Sequence, residues 1–296
     1  MIPLSRDHTI STRCISALLR CLSVLPWKVL YWLGSLTGNL FYAAKSRLCR
    51  LVQANLAIAY PHLPATGHTA LSRQVLRHTV ITYLEMPRIW HSPDLLPERI
   101  DHQGLPQVMR DLVAEGRGLI LAIPHLGNWE MVSSATDTAL PITGLYRPPR
   151  QTYLEPLLVV GRNKAHVRTV PITQTGIKAL HTTLQAGDVV AILPDQVPKR
   201  AGAAAISAPF FGRESATMVL LNRLARRHQT PVLFVWAKRL PQGTYQIRFF
   251  VADDAIRSAD ARTAATALNQ AVERCIADCP AQYQWAYRRF KTVRTK

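Results

Sequence analysis

Two stretches of this chain are built alike. GLILAIPH (118–125) and DVVAILPDQ (188–196) each run through consecutive apolar residues into a proline, then into polar or charged groups. Continuous apolar runs of this length suit strands buried on both faces, the kind found in parallel sheets covered by helices. PVLFVWAKR (231–239) and TYQIRFFVAD (244–253) supply two more such runs, and helix-like stretches lie between, among them 175–186 and 215–229. Strands alternating with helices predict an α/β fold with a largely parallel central sheet flanked by helices. In such sheets ligands collect beyond the carboxyl ends of the strands. His125 and Asp195 each fall just after one of these runs.

The amino-terminal part has a different character. Residues 21–44, CLSVLPWKVLYWLGSLTGNLFYAA, are mostly apolar and long enough to cross a hydrocarbon layer of roughly 30 Å. Pro26, Lys28 and Asn39 interrupt the run, and Trp27, Tyr31, Trp32, Phe41 and Tyr42 crowd its ends, where aromatic rings suit the headgroup level. No small-x-small cleavage site follows an uninterrupted apolar core, which argues against a removable signal peptide. Three arrangements fit: a tilted spanning helix, a helix lying in the interface, or a buried helix of the globular body. The expected organisation is a membrane anchor over residues 1–45 and one catalytic domain over 46–296. After the anchor, RLVQANLAIAYPHLP reads as a short helix ended by Pro61 and Pro64. Residues 68–90 carry Leu71, Val75, Leu76, Ile81 and Leu84 at helical spacings.

Charge narrows the choice of partners. The chain of 296 residues carries a net charge of +18, yet only 18% of its residues are charged, against roughly a quarter in soluble domains. After Asp7 no acidic residue occurs until Glu85, whereas Arg13, Arg20, Lys28, Lys45, Arg47, Arg50, Arg73 and Arg77 fall between them. The tail adds Arg288, Arg289, Lys291, Arg294 and Lys296. Such a field favours anionic lipid headgroups, nucleic acid or an acidic protein, the alternative being a solvated basic surface. Zinc-finger spacing, an RRM signature and a basic region with heptads are all missing, and the aromatic residues cluster in the anchor, so no nucleic-acid role is expected. The five cysteines, Cys14, Cys21, Cys49, Cys275 and Cys279, form no CxxC pair; reduced thiols are expected rather than a disulfide framework or a zinc site.

The segment PHLGNWE (124–130) carries the most chemistry. On a continuous helix, residues five apart lie about 140° from each other, so His125 and Glu130 would not share a face. A helix starting at Asn128, a good N-cap residue, leaves His125 in the loop above it and Glu130 in the first turn. From there Glu130 is expected to reach back to the imidazole. An imidazole can take the proton of an alcohol attacking a thioester, and a carboxylate on its other nitrogen fixes the tautomer and stabilises the imidazolium. No serine or cysteine nucleophile is needed, and the chain has no G-x-S-x-G elbow. The competing account is a structural loop histidine beside a helix cap.

These blocks together resemble the bacterial lipid A biosynthesis acyltransferases, part of a broader set of acyltransferases with a His-x4-Asp/Glu motif. The resemblance runs along most of the chain: LGSLTGNLFYAAKSRLCRLVQANLAIAYP, IPHLGNWE, LYRPPR (145–150), ILPDQVP (192–198), PFFGRESAT (209–217) and QYQWAYRRFK (282–291), in the family's order. It implies His125 as general base, Glu130 as its orienting partner, and Arg147 as an essential group near a substrate phosphate or the oxyanion. Asn128, Asp195 and Gln196 would line the cleft, and Gly212 and Arg213 would contact phosphate. Read without the family, Arg147 is also a surface arginine in a proline-rich turn, Asp195 a turn cap after Pro194, and PFFG a packed turn.

The resemblance further implies an acyl thioester donor, usually on acyl carrier protein, with coenzyme A as the alternative. The acceptor would be a membrane glycolipid of the Kdo-bearing lipid A precursor type, another bacterial glycolipid or phospholipid being possible on the same chemistry. The mechanism requires no metal or dissociable cofactor. The implied location is the bacterial inner membrane with the catalytic domain facing the cytoplasm. The sequence departs from relatives at VPKRAGAAAISAPFFGR (197–213), which is rich in alanine where they often carry a more polar loop, and acceptor or chain-length preference is the expected consequence.

Overall fold

The computed structural model of the protein describes residues 10–91, 96–149, 155–197, 204–241 and 243–291. Residues 198–203 of the alanine-rich stretch and the basic residues Arg294 and Lys296 lie outside the described residues. Four helices come first, α1 (Ile10–Val24), α2 (Trp27–Ala43), α3 (Arg47–Ala59) and α4 (Ala65–His91). The chain then passes through β1 (Ile100–Asp101) and α5 (Leu105–Ala114) into β2 (Leu119–Ala122), α6 (Val132–Ala135), β3 (Ile142–Tyr146) and α7 (Glu155–Arg162). Next come β4 (Val167–Pro171), α8 (Gln174–Gln185), β5 (Val189–Ile192) and a hairpin of β6 (Ala205–Phe210) and β7 (Arg213–Met218). The chain continues with α9 (Leu220–His228), β8 (Val232–Arg239), β9 (Tyr245–Val251) and α10 (Ala261–Asp278).

Seven strands form one sheet in the order β1-β9-β8-β2-β5-β3-β4. Every pairing is parallel except β8 with β9. The apolar runs are continuous because both faces of this sheet are covered. Alternate residues of a strand point to opposite faces: Ile120, Ala122, Val190, Ile192 and Phe234 join one core with α8, α9, α10 and part of α4. Leu119, Leu121, Val189, Leu233 and Val235 join a second core with α5, the end of α4 and the start of α2.

The four strands expected from apolar runs are β2, β5, β8 and β9. Two more, β3 and β4, are short edge-side strands with Gly144, Thr169 and Arg168 among their few residues, too mixed in polarity to stand out. The helix expected over 215–229 is shorter: Arg213–Met218 pairs in antiparallel register with Ala205–Phe210, and α9 begins only at Leu220. The strand was hidden because ESATM has small residues that carry no strong periodicity of either kind.

The apolar run at 21–44 is broken at Leu25–Pro26, with α1 ending at Val24 and Pro26 capping α2. Proline lacks the N–H that a continuing helix would need there. Among the described residues no helix is long and apolar enough to cross a membrane. One side of α2 packs along α4 at close range: a Cβ on Gly38 would meet the backbone of Arg77 at 2.6 Å, and one on Gly34 would meet the Ile81 side chain at 2.4 Å. The other side of α2 exposes Val29, Trp32, Leu36 and Leu40.

Candidate active site

The sheet register brings the histidine to a carboxylate. Strands β2 and β5 are neighbours, with Ala122 opposite Ile192, and the pairing continues as the Ile123 N–H donates to the Ile192 carbonyl at 2.9 Å. His125 and Asp195 both lie three residues beyond that matched pair, each directly after a proline. They therefore emerge side by side. His125 Nδ1 lies 2.8 Å from Asp195 Oδ1, and the His125 peptide N–H donates to Asp195 Oδ2 at 3.1 Å. Asp195 is buried, whereas the imidazole keeps 13% of its side-chain exposure. Burial by itself would raise the carboxyl pKa of Asp195, but the ring and peptide N–H of His125 outweigh it and hold the pKa below its ordinary value. The buried Tyr283 phenol lies near the same carboxylate; burial first, then the Asp195 charge, push its pKa well up.

With Nδ1–H donated to Asp195, the imidazole presents the lone pair of Nε2. Among the described residues Nε2 forms no hydrogen bond, and the ring packs edge-on against Trp129 with centroids 4.9 Å apart. A carboxylate whose pKa is depressed by folding stabilises the protein above the unfolded carboxyl value of about 3.9, and that contribution fades as pH falls through the lower folded value. The stability gap between the wild type and Asp195→Asn is thus expected to be widest near neutrality and to narrow below about pH 4. Denaturant unfolding of both proteins across that range measures it; a gap independent of pH would refute the linkage.

Glu130 does not take the position expected for it. Asn128 does cap the turn, accepting from the Glu130 N–H at 3.3 Å, but the turn is a 3-10 turn over Trp129–Met131. It aims the Glu130 carboxylate away from His125. The carboxylate accepts from Arg162 Nη2 at 2.5 Å and Nε at 3.0 Å, from Trp90 Nε1 at 3.1 Å and from Trp129 Nε1 at 3.2 Å. These partners use the oxygens that were expected to face the imidazole. The carboxylate that orients His125 comes instead from the neighbouring strand.

Asn128 is buried and committed inward. Its amide donates to Glu85 Oε2 at 2.8 Å, and Glu85 accepts from Arg239 Nη2 at 2.5 Å and Nε at 3.0 Å. Arg239 also donates to Thr82 Oγ1 at 2.8 Å, and that hydroxyl donates to the Gly127 carbonyl at 3.1 Å. Burial opposes the charge on Arg239, but the Glu85 carboxylate more than restores it and raises the pKa. His78 touches the same guanidinium; burial and then the charges of Arg239 and Arg77 depress its pKa to about 3. The network thus clamps Gly127 and Asn128, the two residues that follow His125 and Leu126.

Gly127 is required in that clamp. Its φ is +62°, and a Cβ there would come within 1.8 Å of the Ala237 carbonyl oxygen. Gly127→Ala is expected to lower both stability and turnover sharply, since strained backbone and a displaced strand add together. Unfolding midpoints and rates read in parallel test this; wild-type values for both would contradict the geometry.

The remaining expected residues divide. Gln196 lies at the site, its Nε2 donating to Gln284 Oε1 at 2.8 Å. Gln284 in turn donates its backbone N–H to the His125 carbonyl at 3.0 Å and its amide to the Tyr83 hydroxyl at 2.6 Å. Arg147 is exposed just beyond β3. It is near enough to Tyr287 to act on that phenol, whose pKa burial raises while the Val197 N–H, Arg289 and Arg147 oppose the rise. No hydrogen bond joins Gly212 or Arg213 to His125 among the described residues. Phe211 and Gly212, both at positive φ, form the two-residue turn between paired Phe210 and Arg213. That turn geometry matches the twist of a hairpin, and Phe211 packs on Tyr60 and Trp285. Glu85, Arg239, Arg162 and Tyr83 were missed; a buried Glu85 after a long acid-free stretch is the one signal that could have raised them.

Two clefts are lined by residues that touch the His125 loop. A groove bordered by Phe41, Tyr83, Gln196, Gln284 and Tyr287 runs from α2 toward the His125 loop. Beneath the loop, an apolar cleft lined by Ile123, Trp129, Val132, Leu145 and Leu193 holds a space of about 90 Å³ and reaches Glu130 and Arg162.

An imidazole tied to a buried carboxylate, its Nε2 free of hydrogen bonds among the described residues, has the arrangement of a group that can accept a proton. The family model for the bacterial lipid A biosynthesis acyltransferases matches residues 7–292. The chain belongs to that family and is an acyltransferase. It is 27% identical to the lipid A biosynthesis lauroyltransferase of Escherichia coli K12 over 90% of this chain and 87% of that protein. It is 25% identical to the lipid A biosynthesis palmitoleoyltransferase of the same organism, with the same coverage. A lipid A biosynthesis acyltransferase of Haemophilus influenzae is 24% identical over 90% of this chain and 81% of its own length.

Proposed function

We propose that this enzyme transfers a fatty acyl chain from a thioester, carried on acyl carrier protein, to a hydroxyl of a Kdo-bearing lipid A precursor in lipopolysaccharide biosynthesis. The observation that carries the reading is the His125–Asp195 pair, whose imidazole packs on Trp129 of the apolar cleft and whose loop bonds Gln284 of the groove bordering α2. The acyl chain lies in the apolar cleft and the acceptor arrives along the groove. The acceptor oxygen attacks the thioester carbonyl while its proton passes to His125 Nε2; as the tetrahedral intermediate collapses, the carbon–sulfur bond breaks and the proton goes to the thiolate. Asp195 holds the ring and offsets the imidazolium charge. Arg147, exposed beyond β3, contributes positive charge for the phosphates of the acceptor or the oxyanion.

The enzyme works at the cytoplasmic face of the inner membrane, held there by the apolar side of α2 as an interfacial helix. The basic surface also suits an acidic carrier protein, whose approach it would accelerate. The test is transfer from a panel of acyl-carrier-protein thioesters to the Kdo-bearing precursor, with wild type and His125→Ala side by side. Product from the wild type alone is expected, at a chain length reported by the best donor. Transfer only from coenzyme A thioesters, or only to another glycolipid, would overturn the donor or acceptor assignment. Arg147→Ala is expected to cost about a hundredfold or more in turnover, and a wild-type rate would remove it from the mechanism.

A further inference from the structure

A second, strongly basic cleft lies where α2, α3 and α4 converge. It is bordered by Asn39, Tyr42, Lys45, Arg50, Arg73 and Arg77 and holds a space of about 560 Å³. Its cations are oriented by neutral groups. Arg77 Nε donates to Asn39 Oδ1 at 2.8 Å, Arg50 Nη1 donates to the Lys45 carbonyl at 3.2 Å, and Arg73 lies 4.7 Å from the centroid of the Tyr42 ring. None of the four forms an ion pair among the described residues. The sequence offers no acid between Asp7 and Glu85. Four like charges gathered around one space repel one another, and an anion between them reverses the sign of that interaction. The amino end of α3, which begins at Arg47, adds its positive partial charge to the same place.

The cleft adjoins the bare side of α2. Val29, Trp32, Leu36 and Leu40 are exposed there, Trp32 by 64% and Leu40 by 58%. At about 100° per residue the four fall within one sector of roughly 80°. Asn39 and Ala43, which border the cleft, lie on the flank and at the end of that sector. Thr37 and Phe41, which border the groove toward His125, lie on its opposite flank. With the apolar side in the acyl layer, the cleft stands at headgroup depth.

We propose that Lys45, Arg50, Arg73 and Arg77 form a binding site for the phosphate of an anionic phospholipid, taken from the bilayer on which α2 rests. The inference rests on the reading of α2 as an interfacial helix. Because the cleft and the substrate groove flank α2 on opposite sides, the bound lipid does not react; it fixes the rotation of α2 on the surface, and with it the aim of the groove.

Co-sedimentation of the full chain with phosphatidylcholine vesicles, and with vesicles containing phosphatidylglycerol, tests the site. Wild type is expected to bind the anionic vesicles at least about tenfold more tightly. Arg50→Gln/Arg73→Gln/Arg77→Gln is expected to lose most of that increment and to keep its binding to the neutral vesicles. Arg223→Gln/Arg226→Gln/Arg227→Gln on α9 removes as many charges and is expected to keep the increment. If removing Arg77 disturbs the α2–α4 contact, Lys45→Gln/Arg73→Gln, both at exposed positions, serves instead.

Equal losses in the cleft and α9 variants would overturn the site in favour of general charge. A cleft variant that binds both vesicles normally but has lost affinity for acyl carrier protein would overturn it in favour of an acidic protein. Inorganic phosphate that occupies the cleft while wild type shows no preference for anionic vesicles would overturn the lipid assignment. Trp32→Glu/Leu36→Glu reports on α2 separately: loss of binding to both vesicle types supports its interfacial role. Wild type that binds neither vesicle would overturn that role and the phosphate site together.

Discussion

Asp195→Asn is expected to lower turnover by about a hundredfold to ten-thousandfold while leaving the protein folded. The amide keeps the shape of the carboxylate and can still accept from the His125 ring at the 2.8 Å contact. It cannot offset the imidazolium that forms as the acceptor gives up its proton. Because the two residues act as a unit, the double variant His125→Ala/Asp195→Asn is expected to be scarcely slower than His125→Ala alone. Glu130→Gln separates the two carboxylates. Its partners are Arg162, Trp90 and Trp129 at the edge of the apolar cleft, so its loss is expected to weigh on donor KM and chain preference more than on kcat. The reverse pattern, with Glu130→Gln matching His125→Ala in kcat and Asp195→Asn near wild type, would return the orienting role to Glu130.

The second large effect concerns stability. Arg239→Met is expected to destabilise the protein by about 3–5 kcal/mol, because Glu85 would be left as an unpaired charge with no exposure to water. The accompanying neutralisation, Glu85→Leu/Arg239→Met, is expected to recover part of that loss, since two apolar side chains replace a pair that was costly to desolvate. Turnover should not recover with it. The Asn128 amide donates to Glu85, and Thr82, which holds the Gly127 carbonyl, is itself held by Arg239. Unfolding midpoints together with kcat on the folded fraction test this. If stability and turnover recovered in step, the pair would be a prop for the fold with no part in placing the loop.

Much of this could be read from the chain before its structure. The central strands β2, β5, β8 and β9 announce themselves because they are buried on both faces, and the repeated run-proline-polar design of β2 and β5 marks where they end. What the chain does not announce is that these two strands are neighbours. Adjacency is decided by β3 and β4, inserted between them in sequence and placed beyond β5 in the sheet, and both are too mixed in polarity to stand out. Without adjacency, Glu130 is the nearest carboxylate to His125 along the chain, and Asp195 reads as a turn residue seventy positions away. The same blindness covers Glu85 and Arg239, whose partnership spans 154 positions. At Gly212 and Arg213, where the resemblance implies phosphate contact, the local sequence also serves the fold: Phe211 and Gly212 sit at positive φ and close a hairpin.

The loop that carries His125 is finished by the far end of the chain. Its carbonyl at His125 accepts from the Gln284 N–H, the Gly127 N–H donates to the Gln282 carbonyl, and Leu126 bridges to Tyr283. The segment is itself pinned where Asn55 donates to the Trp285 and Tyr287 carbonyls and where buried Arg289 reaches Asn269 and the Ala216 carbonyl. A nascent chain emerging from the ribosome therefore carries its strands, its imidazole and its orienting carboxylate well before it carries the residues that brace them. Synthesis order leaves the loop unbraced until residues 282–289 have been made, so a product truncated before them would be a folding intermediate and not a partial enzyme.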